Sequence, residues 1–233
     1  MSETLPKAGV IGIINMGSDM QACFDTVKLT EKYDYIHGAV GIHPECAADL
    51  PENWLSVVEE LLGHDKIAAV GEIGLDYHWL EACPKDKQIS AFKAQLELAH
   101  KTGYPVVVHD REAHGDMMDI LREYRPKGVM HCFSGSAELA LETVKLGMYI
   151  GLGGVVTFKN ARHAVEAAKV VPLDRLLLET DAPYMSPVPL RGKRNDSSNI
   201  RYVAEKIAGI RSIPVDTLLN AVTENTKRLF NLD

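Results

Sequence analysis

The sequence is poor in several features that would define other classes of protein. It has only four cysteines, Cys23, Cys46, Cys83 and Cys132, at irregular spacings and with no CxxC pair. That pattern fits reduced intracellular thiols and argues against a disulfide framework. No apolar run approaches the ~20 residues needed to cross a bilayer, so no membrane-spanning helix is expected. The opening stretch MSETLPKAGV lacks the charged-then-apolar layout of a signal peptide, and a cytoplasmic location is expected. Positive charge is also scarce: 25 Lys and Arg against 32 Asp and Glu leave a net charge of -7. A surface that attracts nucleic acid as a whole is therefore excluded, and any anion binding must be local. The only glycine-rich stretch, GLGG at 151–154, lacks the third glycine and the helix start of a phosphate-binding fingerprint.

What remains is an ordinary globular composition with a strict alternation. Short apolar runs recur at 10–17, 36–44, 67–76, 105–110, 128–135, 148–155 and 175–181. Most are continuous rather than alternating, which suits parallel strands covered on both faces. Amphipathic stretches lie between them. In QISAFKAQLELAHKTG, Ile89, Phe92, Leu96 and Ala99 share a face, and Gly103 supplies a stop. SAELALETVKLG has Ser136 as N-cap and Gly147 as stop, and NWLSVVEELLGHD is similarly bounded by Asn53 and Gly63. Two further helices are expected near the end, SNIRYVAEKIAG and VDTLLNAVTENTKRLF. With no linker or composition break, residues 1–233 read as a single α/β domain with a parallel sheet. An open doubly wound sheet and a (β/α)₈ barrel both fit.

The barrel is favoured by where polar side chains fall. His43, Glu72 with Asp76, His109 with Arg111, His131 and Asp181 all stand at the C-terminal ends of runs. In a barrel those ends converge on one face, where active sites are built. A lone histidine at a strand end is more often a hydrogen-bonded loop residue than a ligand. Two histidines, a Glu and an Asp at the same end of four strands shift the balance towards chemistry. Imidazoles and carboxylates together bind Zn, Mn or similar divalent ions and generate hydroxide at neutral pH. Glu179, in LLLETDAPY, is expected to cap the strand or face solvent. After Asp181, RGKR presents Arg191, Lys193 and Arg194, a local basic cluster in an acidic chain that suits phosphate.

These stretches carry a resemblance. GIHP (41–44), GEIGLDY (71–77), VVVHDREA (106–113), MHCFSGS (130–136), LLLETDAPY (176–184) and RGKRN (191–195) resemble, in order, the motifs of the TatD family of metal-dependent deoxyribonucleases, which are amidohydrolase-like TIM barrels. The resemblance implies a hydrolase that cleaves phosphodiester bonds in DNA with one or two divalent cations (Zn, Mn or Mg). It implies Glu72, His109, His131 and Asp181 as metal ligands, with Asp181 also taking a proton from water. Glu72, His109 and His131 would form the better set. His43, Arg111 and Arg191 look like substrate-side residues. The family's first strand carries a His-x-His pair, and no such pair occurs in this sequence. The run at 10–17 matches the family's second strand. Seven strands are therefore expected in an incomplete barrel lacking the first, with impaired catalysis and association through the open edge. Two other classes compete: an amidohydrolase or deaminase of a small substrate, and a non-catalytic remnant.

Overall fold

The computed structural model describes residues 5–232. It has seven strands: β1 (Ile13–Met16), β2 (Ile36–Val40), β3 (Ile67–Asp76), β4 (Val106–Arg111), β5 (Gly128–Met130), β6 (Tyr149–Leu152) and β7 (Leu176–Leu178). They are hydrogen-bonded neighbours in chain order, and the recorded registers are parallel. Eight helices alternate with or follow them: α1 (Met20–Lys32), α2 (Trp54–Leu61), α3 (Lys85–Thr102), α4 (His114–Tyr124), α5 (Ala137–Lys145), α6 (Arg162–Val170), α7 (Ile200–Arg211) and α8 (Val215–Phe230). The strand count and the parallel α/β alternation are those expected from the sequence. β3 fills its apolar run and β4 matches its run in length, so Glu72, Asp76, His109 and Arg111 lie within strands; the other five strands are shorter than their runs. His43 and His131 thus lie just beyond β2 and β5.

Backbone contacts divide the chain into two compact units, Gly12–Val129 on one side and Met130–Asp233 with Met1–Ile11 on the other. In the first unit the core is dense. Ile73 and Leu75 of β3, Val106 and Val108 of β4, and Phe92 of α3 are completely buried. Phe92, Leu96 and Ala99 occupy the inner face of α3 as its periodicity predicts, and Gly103 closes the helix at φ 78°. The same face also buries Gln88 and Gln95, which periodicity alone does not suggest. Gln95 accepts a hydrogen bond from Ile42 N at 2.7 Å and donates to Ile42 O at 3.1 Å. Gln88 accepts from Asp76 N at 2.8 Å and donates to Asp76 O and Cys83 O, each at 2.8 Å. Each side chain stands in for a strand neighbour, satisfying backbone groups that burial would otherwise orphan. They fix the chain at Asp76 and one residue before His43.

In the second unit Ser136 caps α5 by accepting from Leu139 N, as expected. Asn225 of α8, buried, donates to Leu173 O and Leu176 O and so ties the last helix to the start of β7. Before β1, a short 3₁₀ turn at Pro6–Ala8 ends at Gly9 with φ 85°. Asn53 precedes α2 but makes no side-chain cap. Among the described residues, no helix is long and apolar enough to cross a membrane.

Candidate metal centre

The first unit gathers His43, Glu72, Asp76 and His109. The register explains how. Gly74 of β3 stands opposite His109 of β4. Residues two places before and after a strand residue share its face, so Glu72 and Asp76 flank the histidine from the neighbouring strand. His109 Nδ1 lies 2.9 Å from Glu72 Oε1, and its Nε2 lies 2.9 Å from Asp76 Oδ2. Gly74 itself, at φ 147°, leaves room for the His109 backbone: a Cβ there would strike the His109 carbonyl. An imidazole between two carboxylates suits a positive charge, supplied either as a proton or as a metal ion.

Asp76 is the buried member, with a side chain 1% exposed. Burial pushes its carboxyl pKa up, but the hydrogen bond and charge of His109, the His78 N–H and Arg111 together hold it below the ordinary carboxylate value. His43 approaches from the 3₁₀ turn Pro44–Cys46. Its Nε2 lies 3.8 Å from Glu72 Oε1, and its ring meets His109 edge-on at 4.4 Å between centroids. His43 Nδ1 accepts from Glu45 N at 3.3 Å. A backbone N–H can only donate, so the neutral ring carries its proton on Nε2 and presents a donor. By geometry alone, one atom each from His43, Glu72 and His109 is close enough to surround a single ion.

The second unit gathers His131, Cys132, Glu179 and Asp181. His131 Nδ1 lies 2.8 Å from Glu179 Oε2, and Glu179 Oε1 accepts from Cys132 N at 2.7 Å. His131 Nε2 lies 4.0 Å from Asp181 Oδ1. This corrects the expectation that Glu179 caps or faces solvent: its side chain is only 18% exposed and holds two groups of the next motif. The reason is register. Glu179 N continues the β6–β7 ladder by donating to Leu152 O, and the side chains of Glu179 and Asp181 both approach the His131 ring. The glycines of GLGG make the space. A Cβ on Gly151 would lie 2.6 Å from Glu179 Oε2, and one on Gly153 would lie 3.3 Å from its Cγ. The stretch that failed as a phosphate loop is a seat for a carboxylate. With Glu179 accepting the Nδ1 proton, His131 is left with an unprotonated Nε2, the form that binds a metal.

The segment after Asp181 is clamped by the last residue of RGKRN. Asn195, 1% exposed, donates to Thr180 O and Tyr184 O at 2.7 Å each, and its backbone N–H donates to Pro183 O. Arg191 lies over the Phe158 ring at 3.8 Å and donates to Ser186 O at 3.3 Å. Lys193 and Arg194 are exposed. Arg111, at the end of β4, is exposed and sits 5.9 Å from the Trp79 ring centroid.

Residues 2–231 match the family model described as TatD related DNase. The chain belongs to this family. The uncharacterized metal-dependent hydrolase YabD of Bacillus subtilis is 43% identical over 224 residues, covering 95% of this chain and 88% of its own. The 3'-5' ssDNA/RNA exonuclease TatD of Dickeya dadantii is 32% identical over 233 residues, covering 96% and 88%. The crystal structure of the TatD homolog YJJV from Escherichia coli superposes with a TM-score of 0.94 at 31% identity, covering 100% of this chain and 91% of that one. The TIM-barrel-type α/β fold of TatD proteins is thus the fold of this chain, as expected, and it is a member of a family of metal-dependent hydrolases. The expectation of a missing N-terminal strand gains no support, because the family match runs from residue 2 to residue 231.

Proposed function

We propose that this TatD-family hydrolase cleaves phosphodiester bonds in single-stranded nucleic acid, DNA foremost, using divalent metal ions. The observation that carries the reading is the pairing of imidazole with carboxylate in both units, at the C-terminal ends of strands. The relative from Dickeya dadantii, named for exonuclease action on ssDNA and RNA, supports the substrate. The donor set fits a metal: imidazole nitrogen and carboxylate oxygen, with His109 held by Asp76 and His131 by Glu179, suit Zn²⁺ or Mn²⁺. Glu72, His109, His131 and Asp181 are the ligands in this reading, with Glu179 fixing the His131 tautomer and Asp76 orienting His109. A bound divalent ion supplies charge neutralisation of the phosphate and lowers the pKa of water. Asp181 receives the proton of the attacking water at a carboxylate oxygen. His43 offers Nε2–H to a phosphate oxygen, and Arg111 and Arg191 neutralise the backbone further along.

The test is an end-labelled oligonucleotide incubated with the purified chain after metal removal and again after adding Mn²⁺, Mg²⁺ or Zn²⁺. Stepwise shortening that requires metal is expected. A small amide and lactone panel run alongside checks the amidohydrolase alternative, and turnover there without shortening of the oligonucleotide would overturn the reading.

Metal content separates ligands from bystanders. His131→Ala and His109→Ala are each expected to lose metal, measured by elemental analysis after dialysis; removal of orienting partners alone typically costs ten- to a hundredfold in affinity, and ligands about that or more. Undiminished content in both variants would remove them from the ligand set. Arg191→Ala is expected to raise KM for an oligonucleotide about tenfold with metal content retained. Arg191→Lys should not restore it, because the planar group stacks on Phe158 and an ammonium does not. An unchanged KM in Arg191→Ala would return the loop to a purely structural role.

A further inference from the structure

Trp79 is 47% exposed and Leu80 42% exposed, next to one of the most tightly held carboxylates in the chain. Exposed tryptophans of this size have no stabilising reason to face water. A loose segment would explain it, but this segment is not loose. Asp76 Oδ1 accepts from His78 N at 2.9 Å and from Trp79 N at 3.3 Å. Trp79 O accepts from Ala82 N at 2.9 Å and Cys83 N at 3.4 Å, and Cys83 O accepts from the buried Gln88. The His78 ring meets the indole edge-on at 4.8 Å and 89°, and His78 Nδ1 lies 2.9 Å from Glu112 Oε1. The Arg111 guanidinium lies 5.9 Å from the indole centroid, at the outer limit of a cation–π contact. The indole is thus exposed and fixed at the same time.

The other oxygen of Asp76 holds His109 Nε2. One buried carboxylate therefore sets both the metal-site histidine and the turn that presents the indole. A held, half-exposed indole with a guanidinium 5.9 Å over its ring matches one repeat of a single strand, a base to stack on the indole and a phosphate to neutralise.

We propose that Trp79 is the base-stacking platform for the nucleotide beside the scissile phosphate, with Arg111 taking the adjoining phosphate. This rests on the nuclease reading and adds to it a residue that selects unpaired bases. A duplex keeps its base faces covered, so a stacking requirement favours single strands and frayed ends.

The experiment uses a phosphorothioate-linked oligothymidylate, which resists cleavage, and an abasic strand of equal length and charge. In a Trp54→Phe background Trp79 is the sole tryptophan, since the chain has two. Its emission is expected to be quenched on titration with the oligothymidylate and far less by the abasic strand. Trp79→Ala is expected to weaken oligothymidylate binding about tenfold, to lose the preference over the abasic strand, and to keep its metal content. Trp79→Phe should recover most of the affinity. Equal affinity for the two strands in the wild type, or a preference that survives in Trp79→Ala, would overturn the platform while metal-dependent shortening of ordinary oligonucleotides left the nuclease reading standing. Absence of both binding and shortening would overturn the two together. The emission readout needs no alanine variant and decides the matter if that variant fails to fold.

Discussion

Glu72→Gln is expected to lower kcat for oligonucleotide cleavage by about a thousandfold or more, the scale seen when a preorganised charge is removed from a phosphoryl or acyl transfer site. The substitution preserves shape and removes the charge that faces His109 and His43. Its effect on the fold should be small: β3 is held by backbone pairing to β4 and by Glu72 N donating to Gly17 O, and none of this involves the side chain. Metal supplies a second readout. A saturating divalent ion at a hundred times its Kd stabilises the native state by about 2.7 kcal/mol, which for a chain of this length raises Tm by roughly 5–11 °C. That rise should appear in the wild type and shrink sharply in Glu72→Gln. Full activity with an intact metal-induced shift would exclude Glu72 from the site. Loss of activity with the shift intact would make it a catalytic group that does not hold the ion.

The strand ends and their polar residues are legible because continuous apolar runs in a parallel sheet leave few alternatives, and because five of the seven runs carry a His, Glu or Asp at or near the end. The partners of those residues were harder to see. Asp76 could be placed at the end of β3, but its approach to His109 depends on the opposition of Gly74 and His109, a register that no local pattern fixes. Glu179 carries a usable signal. It directly follows the three leucines of the run, so its backbone belongs to the ladder and its side chain to a face of the sheet. The glycines at 151 and 153 are the complementary half of that signal, and they belong to a different strand. Gln88 and Gln95 look like surface residues by type. Their position on the apolar face of α3, in line with Phe92 and Ala99, was the only hint that they bond to backbone. In RGKRN the charge sits on Arg191, Lys193 and Arg194, whereas the burial falls on Asn195.

That asparagine makes the sharpest structural prediction. The segment from Thr180 to Tyr184 turns abruptly, with Asp181 at φ 52°, a left-handed conformation that is uncommon outside glycine, though aspartate adopts it more readily than most, and is favoured by local hydrogen bonds. The support is the Asn195 amide. Its Nδ2 donates to Thr180 O and Tyr184 O, bracketing Asp181 from both sides, and its Oδ1 accepts from Asp196 N at 2.9 Å and from Asn199 Nδ2 at 3.0 Å. Asn195→Ala leaves two carbonyls and the buried Asn199 amide without this partner. Each such loss costs about 1–3 kcal/mol, and partial relaxation towards water brings the sum to about 3 kcal/mol. For a chain of this length Tm should then fall by roughly 6–12 °C, measured by thermal melting without metal. Asn195→Asp should be no better, because a carboxylate cannot donate to Thr180 O or Tyr184 O. Lys193→Ala, an exposed neighbour in the same loop, should shift Tm by no more than about 1–2 °C. Activity should follow the loop. With Asp181 no longer held, kcat should drop about ten- to a hundredfold below the melting transition, while metal bound by Glu72 and His109 is retained. A melt of Asn195→Ala indistinguishable from Lys193→Ala would show that the strained turn holds itself, and the RGKRN motif would then owe its place to its charges alone.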